Sequence, residues 1–418
     1  MYGPNINFTH STFRKSCLWL KSAKDIAPTN FGLMNNLNVV FLVFSFVGQF
    51  ALAQKSETAK VRWAAPLSFL KTKIASESYE SVGVFDVNND GVLDIVSGAY
   101  WYVGPDFKDR HYIGSAKRYG EYYDDFSTIP LDVNGDGNMD FITGGWFGEE
   151  LVWKENPGDN SEWKEHLIAK VGNIESTRSW DIEGDGIQEI VPNTPNDPLI
   201  VYRLMLDDNG KGKGEFQKHT ITGMHGHGLG FGDINGDGRG DFIIPNGWLE
   251  APKKPFEEDW KFHQEFELGT ASVPIIVADV DQDGTNDLIV GQGHDYGLDW
   301  YRQVKGKERN WIKESIDPFN SQYHSMEWED MDNDGQKELV TGKRYRAHNG
   351  KDPGGNDATG IYYFKWTGTA LSKQVVDYGV YGEGKGTGVF FKVIDINASG
   401  KKDIIVAGKD GLYIYYNE

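Results

Sequence analysis

Oxygen-bearing side chains recur in one nine-residue phrase along this chain: Asp, any residue, Asn or Asp, any residue, Asp-Gly, two residues, then Asp or Glu. Seven copies, some with substitutions, begin at Asp86, Asp132, Asp181, Asp233, Asp279, Asp330 and Asp395. Alternate side chains of a tight loop converge on one point, and the Gly permits the sharp turn. Several hard oxygen ligands with relaxed geometry suit Ca²⁺. The phrase therefore predicts a series of calcium loops.

These loops differ from an EF-hand, which needs helical flanks and a bidentate Glu at its twelfth position. In the first copy the twelfth residue is Ser97, and the flanking segments 82–85 and 93–97 read as strands. The carboxylate at the ninth position is expected to close the loop instead. The candidate ligands are Asp86, Asn88, Asp90, Asp94; Asp132, Asn134, Asp136, Asp140; Asp181, Glu183, Asp185, Glu189; Asp233, Asn235, Asp237, Asp241; Asp279, Asp281, Asp283, Asp287; and Asp330, Asp332, Asp334, Glu338. The seventh copy keeps only Asp395 and Asp403 and is expected to be weak or empty, and any single loop could instead be a metal-free Asx turn.

A second group of reactive side chains stands outside the repeated phrase. Five histidines have no counterpart in the other repeats, whereas His111, His166, His219 and His263 recur at a regular position typical of structural surface. The unique histidines are His225, His227, His294, His324 and His348. Further unique residues near them are Lys343, Arg344, Arg346, Tyr122, Tyr123, Arg178, Trp101, Trp146 and Trp248.

The spacing of the phrase indicates the elements that position these residues. Successive copies begin 46 to 65 residues apart, a period typical of one supersecondary unit per repeat. Each repeat contains four short apolar stretches, in the second repeat near residues 126–132, 139–144, 150–155 and 163–169, as expected for a four-stranded blade. The C-terminus supplies only three strands, so the apolar segment 61–74 is expected to add the fourth and close the ring.

The repeated phrases resemble the FG-GAP or VCBS repeats of integrin-α-like propellers over roughly residues 80–418. The resemblance implies an all-β fold, a seven-bladed β-propeller with calcium between the first and second strands of each blade. In such a blade the residues before the inner strand and after the second strand lie on the face opposite the calcium loops. All five unique histidines are expected on that face, around the mouth of the central channel. Convergence of unique ionisable residues at one mouth favours an active site over scattered loop histidines.

The predicted chemistry is β-elimination assisted by a metal ion. His225, His227, His294 and His324 are candidate ligands for Zn²⁺ or Mg²⁺ in the channel mouth, where a divalent ion polarises a carbonyl. The candidate catalytic residues are His227, His324, His348, Arg344, Lys343 and Tyr123, which could move protons or clamp an anion or carbonyl. Candidate substrate-binding residues are Trp101, Trp146, Arg178 and Trp248.

A second resemblance covers mainly residues 220–418. The phrases His225-Gly-His-Gly, Gly291-Gln-Gly-His294, His324, and Thr341-Gly-Lys-Arg344 followed by His348 and Asp352-Pro-Gly look like the propeller domain of aldos-2-ulose dehydratases. That family implies dehydration of a keto-sugar with metal in the site. The expected function is thus a carbohydrate lyase or dehydratase acting on a keto-sugar or a saccharide containing uronic acid. A noncatalytic glycan-binding propeller and an integrin-like adhesion module remain open, and only the enzyme requires the five histidines on one face.

The N-terminal region reads as a targeting segment. Residues 34–53 resemble a secretory signal, with an apolar run at 37–50 and Ala51-Leu52-Ala53 before Gln54. Residues 1–33 form an upstream segment and Met34 an alternative start, so 54–418 would be the mature propeller, without a membrane span. The only cysteine, Cys17, precedes the cleavage site, so no disulfide is expected. The formal net charge of −20 without a basic stripe argues against binding of nucleic acid. The signal predicts an exported protein that is periplasmic, secreted or at the cell surface.

Overall fold

Seven four-stranded antiparallel sheets make up the part of the chain that the computed structural model describes, residues 65–306 and 309–418. The chain is a seven-bladed β-propeller, and the prediction of an all-β fold is confirmed. The upstream segment 1–33 and the signal at 34–53 lie outside the described residues. Among the described residues, no helix has the length and apolar character needed to cross a membrane.

The first four blades run in chain order from the innermost to the outermost strand. Their strands are Gly83–Phe85, Asp94–Ser97, Tyr100–Tyr102 and Arg110–Tyr112; Ile129–Leu131, Asp140–Gly144, Glu150–Glu155 and Lys164–Lys170; Ser176–Trp180, Glu189–Asn193, Pro198–Leu206 and Gly212–Met224; and Gly230–Gly232, Asp241–Ile244, Gly247–Glu250 and Lys261–His263. Strand faces alternate, so each sheet buries side chains on both sides against its neighbours.

The remaining three blades complete the ring. Their strands are Ile276–Ala278, Asp287–Gly291, Tyr296–Val304 and Asn310–Ser321; Met326–Glu329, Glu338–Gly342, Thr359–Trp366 and Leu371–Gly379; and Lys392–Ile394, Asp403–Val406, Leu412–Asn417 and Phe69–Ala75. The last of these strands comes from the start of the described chain and pairs antiparallel with the C-terminal strand, Thr72 opposite Ile414. On the inner side, the Val82 amide donates to the carbonyl of Phe390 at 3.1 Å, joining the first blade to the seventh.

Each repeated phrase forms the turn between the first and second strands of its blade. The opening Asp accepts the amide of the residue five positions on; for example, Gly91 donates to Asp86 at 2.8 Å. The closing carboxylate is buried and accepts the amide of the phrase's second residue, as Asp94 does from Val87 at 2.9 Å. The same two hydrogen bonds recur in all seven loops. The phrase therefore specifies the turn through its own hydrogen bonds.

Two additions to the repeat lie at the end of the propeller opposite these turns. A short hairpin pairs Arg118–Tyr119 with Tyr122–Tyr123 before the second blade. Residues 346–357, here called the strap, follow the second strand of the sixth blade and include the 3₁₀ turn Ala347–Gly350. Arg346, His348 and Asn349 in the strap have positive φ angles of 53°, 46° and 58°. Non-glycine residues in this region store strain, which clusters at functional sites.

Candidate metal centre

Four potential metal ligands from four adjacent blades converge at the channel mouth. Glu175 precedes the inner strand of the third blade, and His227 and His324 precede those of the fourth and sixth. His294 follows the second strand of the fifth blade. One ligand atom from each of these residues lies within 4.8 Å of the other three. Residues that precede an inner strand or follow a second strand lie on one face of the propeller, and there three imidazoles and a carboxylate come together.

The distances suit a small divalent cation. Nε2 of His227 and of His294 are 2.9 Å apart, and both lie near Oε1 of Glu175, at 3.5 and 3.6 Å. Nε2 of His324 is 2.6 Å from the same carboxylate oxygen. Neighbouring ligands of a tetrahedral zinc ion with bonds of about 2.0–2.1 Å are separated by about 3.3 Å. The cluster therefore has nearly the dimensions of such a site.

The hydrogen bonds of the outer ring nitrogens favour a positive charge between the two inner ones. Nδ1 of His227 donates to the carbonyl of Ala271 at 2.7 Å, and Nδ1 of His294 bonds the Asp352 carboxylate at 2.8 Å. In the neutral rings, Nε2 of each histidine then carries a lone pair, and two lone pairs 2.9 Å apart repel each other. A proton or a metal ion between them removes this repulsion, and a metal ion would also contact Oε1 of Glu175 and Nε2 of His324. Within the described residues, Nδ1 of His324 has no hydrogen-bond partner.

Burial sets the protonation of the cluster. His324 is fully buried, and burial lowers its pKa to about 3, so its imidazole is neutral. Burial alone would raise the pKa of Glu175, but the three surrounding histidines hold that pKa well below its ordinary value. Neutral imidazoles and an ionised carboxylate are the forms that bind metal. His227 and His294 remain partly accessible, with side chains 18% and 11% exposed, so a ligand would approach from their side.

The strap supports the cluster through Asp352 and His348, which contact the ligand candidate His294. Asp352 bonds His294 through one oxygen and Nδ1 of His348 through the other, at 2.8 and 2.9 Å. A carboxylate that orients a ligating histidine is typical of metal sites. His348 stacks on His294 with ring centroids 4.4 Å apart, and its side chain is 57% exposed. It is therefore the most accessible imidazole of the group.

The hairpin holds the strap in place. Arg346 makes two hydrogen bonds to the Glu121 carboxylate, at 2.9 and 2.7 Å. The Tyr122 hydroxyl donates to the Arg346 carbonyl at 3.0 Å and accepts the Asn349 amide at 2.7 Å. Tyr123, the neighbouring candidate, packs its ring on Tyr79 with centroids 4.5 Å apart.

The two basic candidates act at the edge of the cluster. Arg344 is buried and links Glu80, at 3.2 Å, to Glu175, at 3.6 Å. Burial opposes ionisation of Glu80, but Arg344 and Lys409 lower its pKa to about 2. Lys343 is fully buried and bonds Ser321 Oγ and Gln322 Oε1 at 3.1 and 3.0 Å. Burial lowers the Lys343 pKa to about 8.

Several expected site residues lie elsewhere. His225 does not join the cluster, because its ring nitrogens face the Asn193 amide and the Asp197 carbonyl at 3.0 and 3.2 Å. Burial lowers its pKa to about 4. Arg178 is buried and donates to the Val273 carbonyl and Ser325 Oγ, so its guanidinium is already occupied.

The tryptophans expected to stack on sugars divide into two groups. Trp101 and Trp248 are 3% and 2% exposed and stack on His111 and His263 of the outer strands. They belong to third strands, where large rings fill the space between blades. Trp146 is half-buried, and its carbonyl accepts a hydrogen bond from Asn173. Trp146 is therefore the least buried of the three.

Glu175 is the functional candidate that sequence reasoning missed. It stands six residues before the opening Asp of its phrase, the same offset as His227 and His324. Alignment of the repeats on that offset would have revealed it, whereas His225 stands eight residues before its Asp.

The repeated loops do not offer equal cation sites. Asp279, Asp281 and Asp283 of the fifth loop bring carboxylate oxygens within 4.8 Å of one another. In the sixth loop the Lys365 ammonium lies among Asp332, Asp334 and Glu338, at 2.8, 2.9 and 3.0 Å.

Arg203 occupies the same place in the third loop. It contacts Glu183 and Asp185 at 2.6 Å and Glu189 at 3.4 Å. In the third and sixth loops a tethered side chain thus supplies the positive charge that calcium would supply.

Comparison with known proteins agrees with this fold. Residues 279–341 match the family of FG-GAP-like repeats, so the chain carries an FG-GAP-like repeat within a seven-bladed propeller. No curated protein sequence matches the chain. A crystal structure of BBS1N in complex with ARL6DN is similar in fold, with 10% identity, a TM-score of 0.50, and coverage of 84% of this chain and 97% of that one. An Agrocybe aegerita lectin that recognises non-reducing terminal N-acetylglucosamine aligns with 14% identity, a TM-score of 0.43, and coverage of 82% and 91%.

Proposed function

We propose that this propeller is a metal-dependent carbon–oxygen lyase that acts on a keto-sugar or a saccharide containing uronic acid. The observation that carries the proposal is the convergence of Glu175, His227, His294 and His324, which bring one ligand atom each within 4.8 Å of the others. A divalent ion held there would polarise a substrate carbonyl and acidify the adjacent C–H bond. The calcium-loop phrases serve the fold and not the reaction.

The residues around the cluster can carry out the two proton transfers of the elimination and position the groups that take part. His348 is accessible and oriented by Asp352, which suits a general base for the acidified C–H. As the pair of electrons moves from that carbon, the bond from the next carbon to its oxygen breaks, and the leaving oxygen takes up a proton. The imidazolium of His348 can return this proton when both groups lie on one face of the sugar. Arg344 and Lys343 position the site, through Glu175 and through Ser321 and Gln322 beside the strap.

The noncatalytic alternative receives less support from the same face. A glycan platform built from Trp101, Trp146 and Trp248 is reduced to Trp146, because the other two rings are buried. A binding module also has no need of three imidazoles and a carboxylate around one point. The sequence of residues 34–53 supports export, where calcium is abundant and saccharides are accessible.

Calcium belongs to the proposal as a structural ion. The remaining candidate loops begin at Asp86, Asp132, Asp233 and Asp279. Within the described residues, no Lys or Arg side chain pairs with three carboxylates of any one of these loops at once. Their oxygen ligands are therefore proposed to bind calcium. The third and sixth loops do not fit calcium, because Arg203 and Lys365 already pair with their acids.

The test measures metal and turnover together. The chain would be incubated with keto-sugars and uronic-acid oligosaccharides, and the enone product followed by ultraviolet absorbance. Glu175→Gln and His324→Ala should each lose bound metal and reduce turnover by at least about 100-fold. His166→Ala is the matched control, since that ring stacks on Trp153 at the outer strand.

Full turnover in Glu175→Gln and His324→Ala would show that the reaction occurs elsewhere. Binding of glycans by the wild-type chain without any conversion would favour the noncatalytic reading.

A further inference from the structure

We propose that a second site, separate from the channel mouth, binds one neutral saccharide unit between the first and second blades. A cavity of about 390 Å³ lies there against the second blade, and its walls include Asp125, Thr143, Lys154 and Trp163. Loops of the first blade, Gly98 and residues 114–117, form the opposite wall. A volume of this order is typical of small-molecule sites.

Strand alternation explains which side chains face the cavity. Phe141, Thr143, Val152 and Lys154 alternate along the second and third strands of the blade and line the cavity. The residues between them, among them Ile142, Leu151 and Trp153, point the other way into the core with the third blade. The cavity is therefore a sheet face that the first blade leaves uncovered.

Comparison of the seven blades singles out Lys154. It pairs with Phe141 across the second and third strands. The residues at the same register in the other six blades are Tyr102, Tyr202, Leu249, Tyr301, Phe364 and Tyr415. Six blades fill this inter-blade position with a large apolar or aromatic side chain, and only the second blade places a charge there.

The buried charges at the cavity have few direct partners, and the one side-chain hydrogen bond to Asp125 within the described residues runs from Thr143 Oγ1 to Oδ1 at 3.4 Å. Asp125 is 4% exposed, and its Oδ2 has no hydrogen-bond partner. Lys154 is 5% exposed and attracts Asp125 electrostatically, but the described part of the chain offers its ammonium no hydrogen bond or ion pair. Burial of unpaired charge is costly, so groups of this kind are expected to meet a ligand.

The chemistry of the walls favours a neutral polyol. Asp125 and Lys154 carry opposite charges. Two further acids of the lining already have partners, since Asp124 accepts the amides of Phe147 and Gly148 and Glu150 pairs with Lys170. Glu162, Glu165 and Lys117 are exposed at the rim and screened by solvent. Hydroxyl groups can donate to Asp125 and accept from Lys154 at once. Phe141 and Trp163 complete the lining with apolar side chains that are themselves almost fully buried.

The test uses ligand-observed NMR with D-glucose, D-galactose, D-mannose and L-rhamnose, and with glycine as a zwitterionic probe. We expect at least one monosaccharide to bind the full chain, and the double variant Asp125→Asn/Lys154→Leu to weaken that binding more than tenfold. The same double variant should keep or raise the melting temperature, because it replaces unpaired buried charge with the residue type used in the other blades. The single variant Asp125→Asn should also weaken sugar binding, which provides a second test if the double variant does not fold.

Lys164→Leu is the matched control, an exposed lysine of the same blade that should leave sugar binding unchanged. Metal content and turnover should stay at wild-type values in the double variant, which separates this site from the channel. The proposal is overturned if no monosaccharide binds, if glycine alone binds, if neither variant weakens sugar binding, or if the double variant lowers the melting temperature.

Discussion

Replacement of Lys365 by Met should convert the sixth loop from a calcium-independent turn into a calcium-dependent one. The Lys365 ammonium lies at 2.8 to 3.0 Å from three carboxylates of that loop, and its side chain is only 17% exposed. Glu338, one of the three partners, is fully buried. Removal of one partner from a buried ion pair costs about 3–5 kcal/mol. Partial exposure reduces the expected loss in free energy of unfolding to about 2–4 kcal/mol.

Calcium should then recover most of the lost stability. Three carboxylates without their ammonium form an oxygen-rich loop, and a ligand at 100 times its Kd stabilises the fold by about 2.7 kcal/mol. Urea unfolding of Lys365→Met, with chelator and with millimolar calcium, measures both quantities. Lys305→Met is the control, because that side chain is 60% exposed, its ammonium lies 3.9 Å from the Asp283 carboxylate, and its hydrogen bond goes to the Asp283 backbone carbonyl. The Lys305→Met variant should lose less than about 0.5 kcal/mol of the free energy of unfolding.

Two outcomes would refute the reasoning. A loss below about 0.5 kcal/mol in chelator would mean that Lys365 does not stabilise the loop electrostatically. A full loss that calcium does not reduce would mean that the loop cannot bind calcium even when its cation is removed.

Three further predictions follow from buried groups and from the ring. Asp352→Asn should weaken metal affinity about 10–100-fold, because it loosens the orientation of His294; a chelator competition measures this, with Asp295→Asn as control. Burial raises the pKa of Asp125 to about 7, so its ionisation destabilises the fold as pH rises from about 4 to 7. Asp125→Asn should therefore have a free energy of unfolding about 2–4 kcal/mol above that of the wild type at pH 8, and the same value as the wild type at pH 4, both measured by urea unfolding. An equal effect at both pH values would contradict this. A chain that begins at Ser76 lacks the strand Phe69–Ala75 and should melt at a lower temperature, since Leu412–Asn417 becomes an open edge; an unchanged melting temperature would show that the strand is dispensable.

The fold was predictable because the sequence pattern of one blade recurs several times along the chain. The phrase marks one turn per blade, and the apolar stretches of the second repeat agree with strands such as Asp140–Gly144 and Glu150–Glu155. The same periodicity assigned His227, His294 and His324 to the face where the structure brings them together. Backbone periodicity is sufficient for such placement because successive blades share one geometry.

Side-chain direction was harder to predict than backbone position. His225 and His227 are two residues apart, yet the Asn193 amide and the Asp197 carbonyl bind the first ring away from the cluster. Trp101 and Trp248 were candidates for substrate binding, but their positions on third strands turn both rings into the blades. Such outcomes depend on neighbours that are distant in sequence and are not visible in a local pattern.

The charges inside the loops show the same limit. The phrase alone gives the third and sixth loops full sets of oxygen ligands. Arg203 and Lys365 come from third strands, and their pairing with those loops is set by strand register. A repeat alignment that extended to the third strand would have shown these two cations opposite Glu189 and Glu338.

The most direct test of the central claim is the anomalous scattering of crystals of this chain grown with zinc. The proposed metal centre predicts one strong peak at the channel mouth, about 2.0–2.1 Å from Nε2 of His227, His294 and His324 and bound by Glu175. A channel mouth without a peak, in crystals whose other sites have taken up zinc, would contradict the metal centre and the lyase chemistry built on it.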